Sequence, residues 1–361
     1  MSKAAELAKM GEVLTNGQIG GRRNIIINGA MNVAQRSTSE TGKGDANGFF
    51  TCDRWRIHVG STATAGRFTM SQATDVHDGF ANALKLDCTT ADTSIAAGEQ
   101  LQLQQRFEGQ DLQQLKKGTS DAEKITISFY VKSNKTGTYV FEIYDNDNTK
   151  HIASTYTISS ADTWEQKTIT FAGDTSDGFD NDNGGSMYLF WWIGAGTNYT
   201  SGSTPTSWAS VTTANRAAGL NVNIADNTAN DWAITGVQLE VGSQATPFEH
   251  RSFGEELALC HRYFQILNTG YYPANAVGTT KLSTGLCLAS SMRAAPSAVT
   301  APSSEIHRSG NQNSSSATID SITLSDNGSF LNLRFTGFSS LTDETAQVVF
   351  LNSDMSIDSE L

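Results

Sequence analysis

The stretch Trp232–Phe264, WAITGVQLEVGSQATPFEHRSFGEELALCHRYF, contains two kinds of pattern that follow one another. From Ala233 to Val241 apolar and polar residues alternate, and the alternation slips at Gly236. A period of two residues predicts a strand with one buried face, and a slip at a glycine predicts a β-bulge. The first part of the stretch is therefore interpreted as a strand, with apolar side chains at Ile234, Val237, Leu239 and Val241.

The second part of the same stretch predicts a helix. Pro247 fixes its own φ and biases Thr246 away from helical geometry, so the chain leaves the strand in an extended form. Ser252 and Glu255 have the spacing of a capping box, which begins a helix. Apolar residues then recur at helical spacing, at Phe253, Leu257, Cys260 and Phe264. We expect a β-domain to end here and a short hinge helix to lead into another unit.

The rest of the chain predicts an all-β protein. Only 17% of the 361 residues are charged, and short runs rich in Thr, Val, Ile, Tyr and Phe are separated by Gly, Asn and Asp clusters. Many short strands at regular spacing are typical of a jelly-roll β-sandwich. The predicted organisation is an N-terminal attachment segment at 1–21, a jelly-roll domain at 22–250, a linker helix at 251–265 and a smaller distal β-domain at 266–361.

Three local predictions are specific enough to be checked. Lys124–Ser133 and Gly137–Tyr144 both alternate well and are joined by a short turn, which predicts an antiparallel hairpin. Ile25–Ile27 is apolar throughout, which predicts a fully buried strand. Ser303–Ser316 is too polar for a core, which predicts an exposed loop.

The N-terminal residues 1–13 predict a short helix. Its apolar members include Leu7, Met10 and Val13. Because so short a helix is marginal on its own, it has to dock on something. Its docking partner is either its own domain or a larger assembly. The candidates for docking are these three residues.

Charge and cysteine usage exclude several classes of protein. The formal net charge is −12 and no basic patch or arginine-rich arm is visible, so we expect no nucleic-acid partner. Four widely spaced cysteines, without a C-x-x-C pair, favour small buried side chains over zinc ligands or a disulfide framework. The N-terminus lacks a secretory signal and no apolar run reaches the length of a membrane span. We therefore expect a product that is soluble in a cytoplasm, without membrane insertion and without a cofactor.

Aromatic residues among small polar ones are the candidates for sugar contact. Trp191, Trp192, Tyr199 and Trp208 lie among Asn and Thr residues. Adjacent residues of a strand point to opposite faces, so one of the two neighbouring tryptophans is expected in the core and the other at the surface. The plainer alternative is that all of these rings pack the sandwich. A second candidate pair in the distal domain, which would suit a glycan contact or a subunit interface, is Tyr271 and Tyr272.

The acidic runs Asp145–Asn148 and Asp174–Asn183 invite comparison with calcium loops, because calcium takes several oxygen ligands. The first run has the opening of an EF-hand loop, but Tyr156 stands where the loop's final glutamate would be. Asp and Asn also favour turns for local reasons, so we expect no metal site. Catalytic motifs are not visible in the sequence, and we expect the protein not to be an enzyme.

Several pieces of the chain resemble one protein family. The run Ile234–Tyr263 resembles a segment of the tail-fibre and other virion-surface proteins of tailed bacteriophages, especially phages of marine and cyanobacterial hosts. Ala289–Pro296 resembles the tails of these proteins. The remaining matching pieces keep the same order along the chain and are Asn24–Ser39, Asp53–Trp55, Gln105–Gly109 and Ile127–Ser133.

The resemblance implies a protein on a virion, with a jelly roll similar to carbohydrate-binding modules. It also implies attachment to other tail or adaptor proteins through the N-terminus, a homotrimer, contact with host-surface glycans and assembly in the host cytoplasm. We therefore expect a structural tail fibre that contributes to recognition of the host surface. Two alternatives stay open: a head, neck or decoration fibre without a receptor role, and a polysaccharide-binding or polysaccharide-degrading protein.

Overall fold

The computed structural model describes residues 23–60 and 65–296, together with Lys3 and, further along, 298–300, 306–308, 312–314, 318–325, 328–338, 341, 346–351 and 354–361. The chain divides into two compact units, Met1–Ser252 and Phe253–Leu361, which are described separately below. The docking candidates Leu7, Met10 and Val13 lie outside the described residues, so their role stays a prediction.

The first unit consists of antiparallel strands, one four-residue helix and short 3₁₀ turns. In chain order its strands are β1 Ser39–Lys43, β2 Gly48–Phe49, β3 Arg56–His58, β4 Arg67–Ala73, β5 Ala83–Thr90, β6 Gln100–Glu108, β7 Ile125–Ser133, β8 Gly137–Asp145, β9 Lys150–Ile158, β10 Glu165–Phe171, β11 Gly185–Ala195, β12 Ala209–Ser210 and β13 Asp231–Val241. The helix α1 spans Thr197–Thr200, and the 3₁₀ turns span Gly109–Asp111, Gln113–Leu115 and Thr213–Asn215.

These strands form two sheets in the described part of the chain. One has six strands in the order β1-β4-β5-β13-β7-β10, and the other has seven in the order β12-β9-β8-β11-β6-β3-β2. Alternate residues of both sheets are apolar and meet in one core, as the period of two requires. At its centre the Trp191 ring lies 4.9 Å from Phe141, 5.4 Å from Trp55 and 5.9 Å from Phe129. The unit is an all-β jelly-roll sandwich, and the predicted fold class is confirmed.

The strand predicted from the opening stretch is β13, at the centre of the six-stranded sheet. Its register against β7 shifts between Thr235 and Gln238, and Gly236 has a φ of +60°. A Cβ at Gly236 would lie 2.5 Å from the Phe80 ring and 3.0 Å from the Tyr130 ring. The bulge predicted at Gly236 is confirmed, and glycine is required there by both its backbone angle and its surroundings.

The predicted hairpin of Lys124–Ser133 and Gly137–Tyr144 is wrong. β7 pairs with β10 and β13, whereas β8 pairs with β9 and β11 in the other sheet. The short turn between them crosses from one sheet to the other across the core. Alternation shows which face of a strand is buried, and both strands are buried on the same core, but alternation does not identify the neighbouring strand.

The predicted buried strand at Ile25–Ile27 is also wrong, although Ile26 is fully buried. The backbone here is held largely by amide side chains. The Asn24 Oδ1 accepts from the backbone N–H of Ile26 and of Leu239, and Gln105 bonds both backbone groups of Ile27. Side-chain hydrogen bonds therefore replace a strand ladder, which an apolar run cannot reveal.

The second unit begins with helix α2, Phe253–His261, at the place where the sequence predicted a helix. Its core contains Leu282, Leu333, Phe335 and Val349. Its described strands are β14 Phe264–Leu267, β15 Gly270–Val277, β16 Lys281–Cys287, β17 Ala298–Thr300, β18 Ile306–Arg308, β19 Gln312–Ser314, β20 Thr318–Leu324, β21 Phe330–Thr336, β22 Ala346–Leu351 and β23 Met355–Asp358. They form a three-stranded sheet in the order β14-β23-β17 and a seven-stranded sheet in the order β19-β18-β22-β15-β16-β21-β20.

Two further expectations meet the structure here. The exposed loop predicted at Ser303–Ser316 is wrong in part, because it contains the paired strands β18 and β19. Its polar residues satisfy their backbone groups by pairing, which polarity alone does not exclude. Of the cysteines, Cys52, Cys88 and Cys260 are buried and Cys287 is exposed. Among the described helices, none has the length and apolarity needed to cross a bilayer.

Candidate functional site

In the first unit, the side of the seven-stranded sheet that faces away from the main core is lined by polar and aromatic residues. Strand register places these residues in three rows that run across the sheet, and we call this surface the outer face. The rows are His58, Gln102, Trp192 and Val140; then Arg56, Gln104, Phe190, Glu142 and Ala153; then Arg106, Tyr188, Tyr144 and His151.

Part of the outer face is covered by the connection between β12 and β13. Ala217 packs with Val140, Phe190 and Trp192 in a small apolar cluster separate from the main core. The Arg216 guanidinium lies 5.0–5.3 Å from the centres of the Tyr144, Phe190 and Trp192 rings. The covered half of the outer face is defined here as Glu142, His151 and Trp192, together with Arg216 above them.

Glu142 is the centre of the covered half. Its carboxylate is fully buried and accepts from Arg216 Nε at 3.0 Å, from the second Arg216 nitrogen at 3.1 Å and from Trp192 Nε1 at 2.9 Å, while His151 Nδ1 lies 2.8 Å away. Burial raises the pKa of Glu142, but the Arg216 charge and the hydrogen bonds outweigh it, so the pKa is lowered. The Arg216 pKa is raised, because the attraction of Glu142 exceeds the effect of burial. The two form a buried ion pair whose charges cancel.

The remaining part of the outer face is only partly covered. We define this open half as Arg56, His58, Gln102, Gln104, Arg106 and Tyr188, of which both arginines, His58 and Tyr188 are half-buried. The Arg56 guanidinium and Arg106 Nε each donate to the same oxygen, Gln104 Oε1, at 2.9 Å. The Arg106 guanidinium also lies over the Tyr188 ring, 4.4 Å from its centre. Two positive groups thus converge on one neutral amide beside an aromatic ring.

His58 belongs to the open half and has a strongly lowered pKa. Its Nδ1 lies 3.3 Å from the Arg56 guanidinium, and its ring centre lies 5.8 Å from that of Phe190. Burial, followed by the charges of Arg56, Arg106 and Arg216, lowers the pKa of His58 to about 3. The opposing effect of Glu142 is the smallest of these influences. The imidazole is therefore neutral near pH 7.

Two buried amide atoms of the open half are unsatisfied among the described residues. Gln104 Nε2 and Gln102 Oε1 have no hydrogen-bond partner, although both side chains are fully buried. The orientation of the Gln104 amide is fixed, because only its oxygen can accept from the two guanidinium groups. An unpaired buried polar atom costs about 1–3 kcal/mol, and because neither atom is exposed, this cost belongs to the interior of the outer face.

The structure corrects the expectation for the two adjacent tryptophans. Trp191 is in the main core as expected, but Trp192 is also fully buried. Its side chain does point to the outer face, where Arg216 and the Tyr199 ring cover it, the latter at 5.4 Å between centres. The strand rule gave the direction of each side chain correctly, but it could not anticipate the covering segment.

The other aromatic candidates are spread over different places. Tyr199 is half-buried against Trp192, whereas Trp208 packs against the main core and donates its Nε1–H to Ala172 O at 2.8 Å. In the second unit, Tyr271 is 75% exposed, but Tyr272 packs on the core and donates its hydroxyl to Asn268 O at 2.6 Å. The candidates therefore do not form one aromatic platform.

The acidic runs contact lysines. The Lys117 ammonium is buried and lies 2.5 Å from Asp145 and 3.1 Å from Asp174, and Lys150 also bonds Asp174 at 3.1 Å. Burial raises the pKa of Asp174, but hydrogen bonds from Ser176 and the two lysines outweigh it and lower the pKa. Within the described residues, no group of three His, Cys, Asp or Glu side chains has a geometry suited to a metal ion.

Comparisons with known proteins give no family assignment. No protein-family model matches the chain, and no curated protein matches it. One similar solved structure is the enzymatically active domain of tailspike protein 4 of bacteriophage CBA120, with a TM-score of 0.32 and 12% identity over 60% of this chain and 21% of that chain. A second is a family 11 carbohydrate-binding module of Clostridium thermocellum, with a TM-score of 0.27 and 13% identity over 58% of this chain and 99% of that chain. A third is a protein of Bacteroides thetaiotaomicron described as sugar binding, with a TM-score of 0.34 and 14% identity over 61% of this chain and 100% of that chain. This chain thus spans about a fifth of the tailspike chain. The fold assignment above rests on the strand pairing observed in the structure.

The residues that form the open half were not among the sequence candidates. The signal that could have found them is the alternation in β6, where Leu101 and Leu103 face the core and Gln102, Gln104 and Arg106 face outward. Their convergence with Arg56 depends on the pairing of β3 with β6, which no local pattern specifies.

Proposed function

We propose that the protein is a structural component of a tailed-phage virion, a tail fibre whose jelly-roll unit binds host-surface glycans through the open half of the outer face. The observation that carries the glycan-binding part is the set of half-exposed guanidinium and ring groups, with the buried Gln104 amide between them, on three adjacent strands. Binding sites of small ligands combine aromatic surface with a few fixed polar groups in this way. Sites held by strands are also more rigid than sites held by loops.

The virion part of the proposal is supported by the resemblance of sequence pieces between residues 22 and 264 to phage fibre proteins. In this proposal the N-terminal segment attaches to tail or adaptor proteins, and the fibre is a homotrimer assembled in the host cytoplasm. The second unit, with Tyr271 exposed on its sheet, would contribute a contact surface at the distal end.

Binding without catalysis is proposed for the outer face. Glycoside hydrolysis uses a pair of carboxyl groups that reach the substrate. Glu142, on this face, is fully buried and occupied by Arg216, Trp192 and His151. Glu108, which continues the outward alternation of β6, is also fully buried and accepts from Gln110 Nε2 at 2.7 Å. Groups held in this way support the sheet and are not poised to donate a proton.

The glycan-binding proposal is tested with a glycan microarray probed with the full-length protein and with Gln104→Ala. We expect binding by the natural protein and at least about tenfold weaker binding by the variant, since Gln104 Oε1 is the acceptor that holds both guanidinium groups in position. Thr168→Ala, a substitution on β10 of the other sheet, is the matched control and should bind as the natural protein does. Binding that is indifferent to Gln104→Ala would place the site elsewhere, and absence of binding to any glycan would overturn the proposal.

The virion proposal is tested by immunogold electron microscopy of phage particles with antibodies to the purified protein. Gold at the tips or shafts of tail fibres is expected. Gold at the neck or head would favour a head, neck or decoration fibre over a tail fibre. Unlabelled particles in which mass spectrometry does not detect the protein would contradict a virion role.

A further inference from the structure

A cleft in the first unit is formed by two loops and shares no residue with the open half. One wall of the cleft is Phe179, in the connection between β10 and β11. The other wall belongs to the connection between β6 and β7 and consists of Leu112, Gln113, Lys116, Lys117, Thr119 and Asp121. The cleft encloses about 410 Å³, which lies within the roughly 300–1,000 Å³ typical of sites for small ligands. Its size therefore permits a separate binding site.

Contacts within the unit hold the two walls of the cleft in fixed positions. The Gly118 N–H donates to Asp174 O at 2.7 Å. The backbones approach so closely here that a Cβ at Gly118, where φ is +83°, would lie 2.4 Å from Gly178 N. Gln113 Nε2 donates to Asp180 O at 3.2 Å, next in sequence to the aromatic wall. The cleft is thus formed by the chain itself, which lowers the entropic cost of binding.

The two ammonium groups of the cleft have carboxylate partners in the chain. The buried Lys117 ammonium lies 2.5 Å from Asp145. The exposed Lys116 ammonium lies 2.7 Å from Glu123. The hydrogen bond and charge of Glu123, and to a smaller extent the charge of Asp121, raise the pKa of Lys116. The cleft therefore offers no uncompensated ammonium group to an anionic ligand, and the net charge of −12 also disfavours one.

The aromatic wall favours a neutral ligand over a cation. The Lys117 ammonium lies 4.9 Å from the centre of the Phe179 ring, so a cation at this ring is already supplied by the chain. The ring also packs against the main core and is half-buried, which fixes its position and leaves part of it exposed. The exposed part is suited to the apolar face of an uncharged molecule.

The polar groups of the other wall suit the hydroxyl groups of such a molecule. The Gln113 amide donates to Gly109 O at 2.9 Å, so its orientation is fixed and its oxygen is the accepting side. Thr119 Oγ1 donates to Lys116 O at 2.7 Å and accepts from the Asp121 N–H at 3.2 Å, which fixes the turn that carries the exposed Asp121 carboxylate. Carboxylates accept strong charge-assisted hydrogen bonds from hydroxyl groups. Acceptors beside an aromatic ring are complementary to a sugar.

We infer that the cleft is a second glycan site, which binds a neutral sugar residue with Phe179 against the sugar ring and with Asp121 and Gln113 accepting from its hydroxyl groups. This site goes beyond the proposed function, because it uses none of the residues of the open half and acts independently of them. Two sites on one unit increase the avidity for a surface polysaccharide that presents repeated sugars.

The test measures equilibrium binding of the full-length protein to neutral oligosaccharides of laminarin, mannan and galactan by isothermal titration calorimetry. Each oligosaccharide is compared with its own form oxidised to uronic acids, which differs in its carboxylates. We expect at least one neutral oligosaccharide to bind, and its oxidised form to bind about tenfold or more weakly, because the Asp121 carboxylate repels the added charge.

Variants connect this binding to the cleft. Asp121→Asn and Phe179→Leu are each expected to weaken it by roughly tenfold or more, through loss of a charged acceptor and of an aromatic ring. Asp78→Asn removes another exposed carboxylate of the first unit, and Phe253→Leu removes a ring that is 58% exposed in the second unit. These two matched controls should bind as the natural protein does. Unchanged far-ultraviolet circular dichroism and urea midpoints show that each variant is folded.

Titrations repeated in a Gln104→Ala background separate the cleft from the open half. The losses caused by Asp121→Asn and Phe179→Leu should persist there, because the two sites are independent. Neutral binding that is indifferent to both cleft variants would overturn the second site, while binding lost with Gln104→Ala would still support the open half. An equal loss in the control variants, tighter binding of the oxidised forms or no binding of any neutral oligosaccharide would also overturn it.

Discussion

The covered and open halves of the outer face use the same kinds of residue in opposite ways. In the covered half one guanidinium, that of Arg216, meets one carboxylate, and the pair is sealed against three aromatic rings. In the open half two guanidinium groups meet a single amide oxygen and remain half-exposed. The first arrangement is sealed from solvent, whereas the second leaves part of the two guanidinium groups and of the Tyr188 ring exposed.

The difference separates the polar groups that hold a β-sandwich together from those to which the proposed function assigns a ligand. A buried ion pair with all its partners contributes to a specific native structure, and breaking it is expensive. Like charges on adjacent strands cost stability, and they are retained where function requires them. We therefore expect substitutions in the covered half to lower stability and substitutions in the open half to weaken binding.

The largest expected effect is that of Glu142→Gln in the covered half. Removal of the negative charge leaves the buried Arg216 uncompensated, so the free energy of unfolding should fall by about 3–5 kcal/mol. The measurement is urea unfolding followed by tryptophan fluorescence. All six tryptophans of the chain belong to the first unit, so their fluorescence reports that unit alone.

Glu123→Gln is the matched control for this charge. Its carboxylate pairs with Lys116 at 2.7 Å at the exposed surface, where loss of an ion pair costs less than about 1 kcal/mol. If Glu142→Gln is no more destabilising than Glu123→Gln, the covered half does not have the structural role assigned to it.

A pair of double-mutant cycles should give couplings of opposite sign in the two halves. Glu142 and Arg216 attract each other, so their coupling should stabilise the fold by about 1–3 kcal/mol. Arg56 and Arg106 repel each other across Gln104, so their coupling should be destabilising and smaller, on the order of 0.5–1 kcal/mol. Unfolding of Glu142→Gln, Arg216→Met, Arg56→Gln, Arg106→Gln and the two double variants gives both values. A stabilising coupling between Arg56 and Arg106 would contradict the expected repulsion between the two guanidinium groups.

The remaining prediction concerns the pH dependence of stability. The pKa of His58 is lowered from 6.5 to about 3, so between these values the unfolded chain binds a proton that the folded chain does not. The free energy of unfolding should therefore fall as pH decreases from 6.5, by up to about 1.4 kcal/mol per unit for this one group. Glu142, whose pKa is lowered from 4.5, adds a loss only below that value. Between pH 6.5 and 4.5, His58→Gln should flatten the dependence, and an unchanged slope would show that the charges around His58 do not act as described.

The fold class and β13, the last strand of the first unit, could be predicted because both depend on local patterns. Alternation from Ala233 to Val241 and the slip at Gly236 correspond to β13 and its bulge. The partner of a strand depends on contacts distant in sequence, which is why the expected hairpin of β7 and β8 proved to be a crossing between sheets. Ile25–Ile27 failed for a related reason, since Asn24 and Gln105 supply the hydrogen bonds of a strand partner.

The candidate site could be predicted only in its chemistry. Aromatic residues of β11 were expected to meet a sugar, and the structure places Tyr188 of that strand in the open half but buries Trp191 and Trp192. Burial of Trp192 depends on Arg216, more than twenty residues later in the chain. The two arginines of the open half are likewise separated by fifty residues and meet only because β3 pairs with β6.

A crystal structure of the full-length protein with the oligosaccharide that binds most tightly on the array tests the central claim most directly. The result predicted here is a sugar on the open half, within hydrogen-bond distance of Arg56 or Arg106, with Tyr188 against the sugar ring. An oligosaccharide bound instead at another surface, such as the exposed Tyr271 of the second unit, with the open half unoccupied, would contradict it.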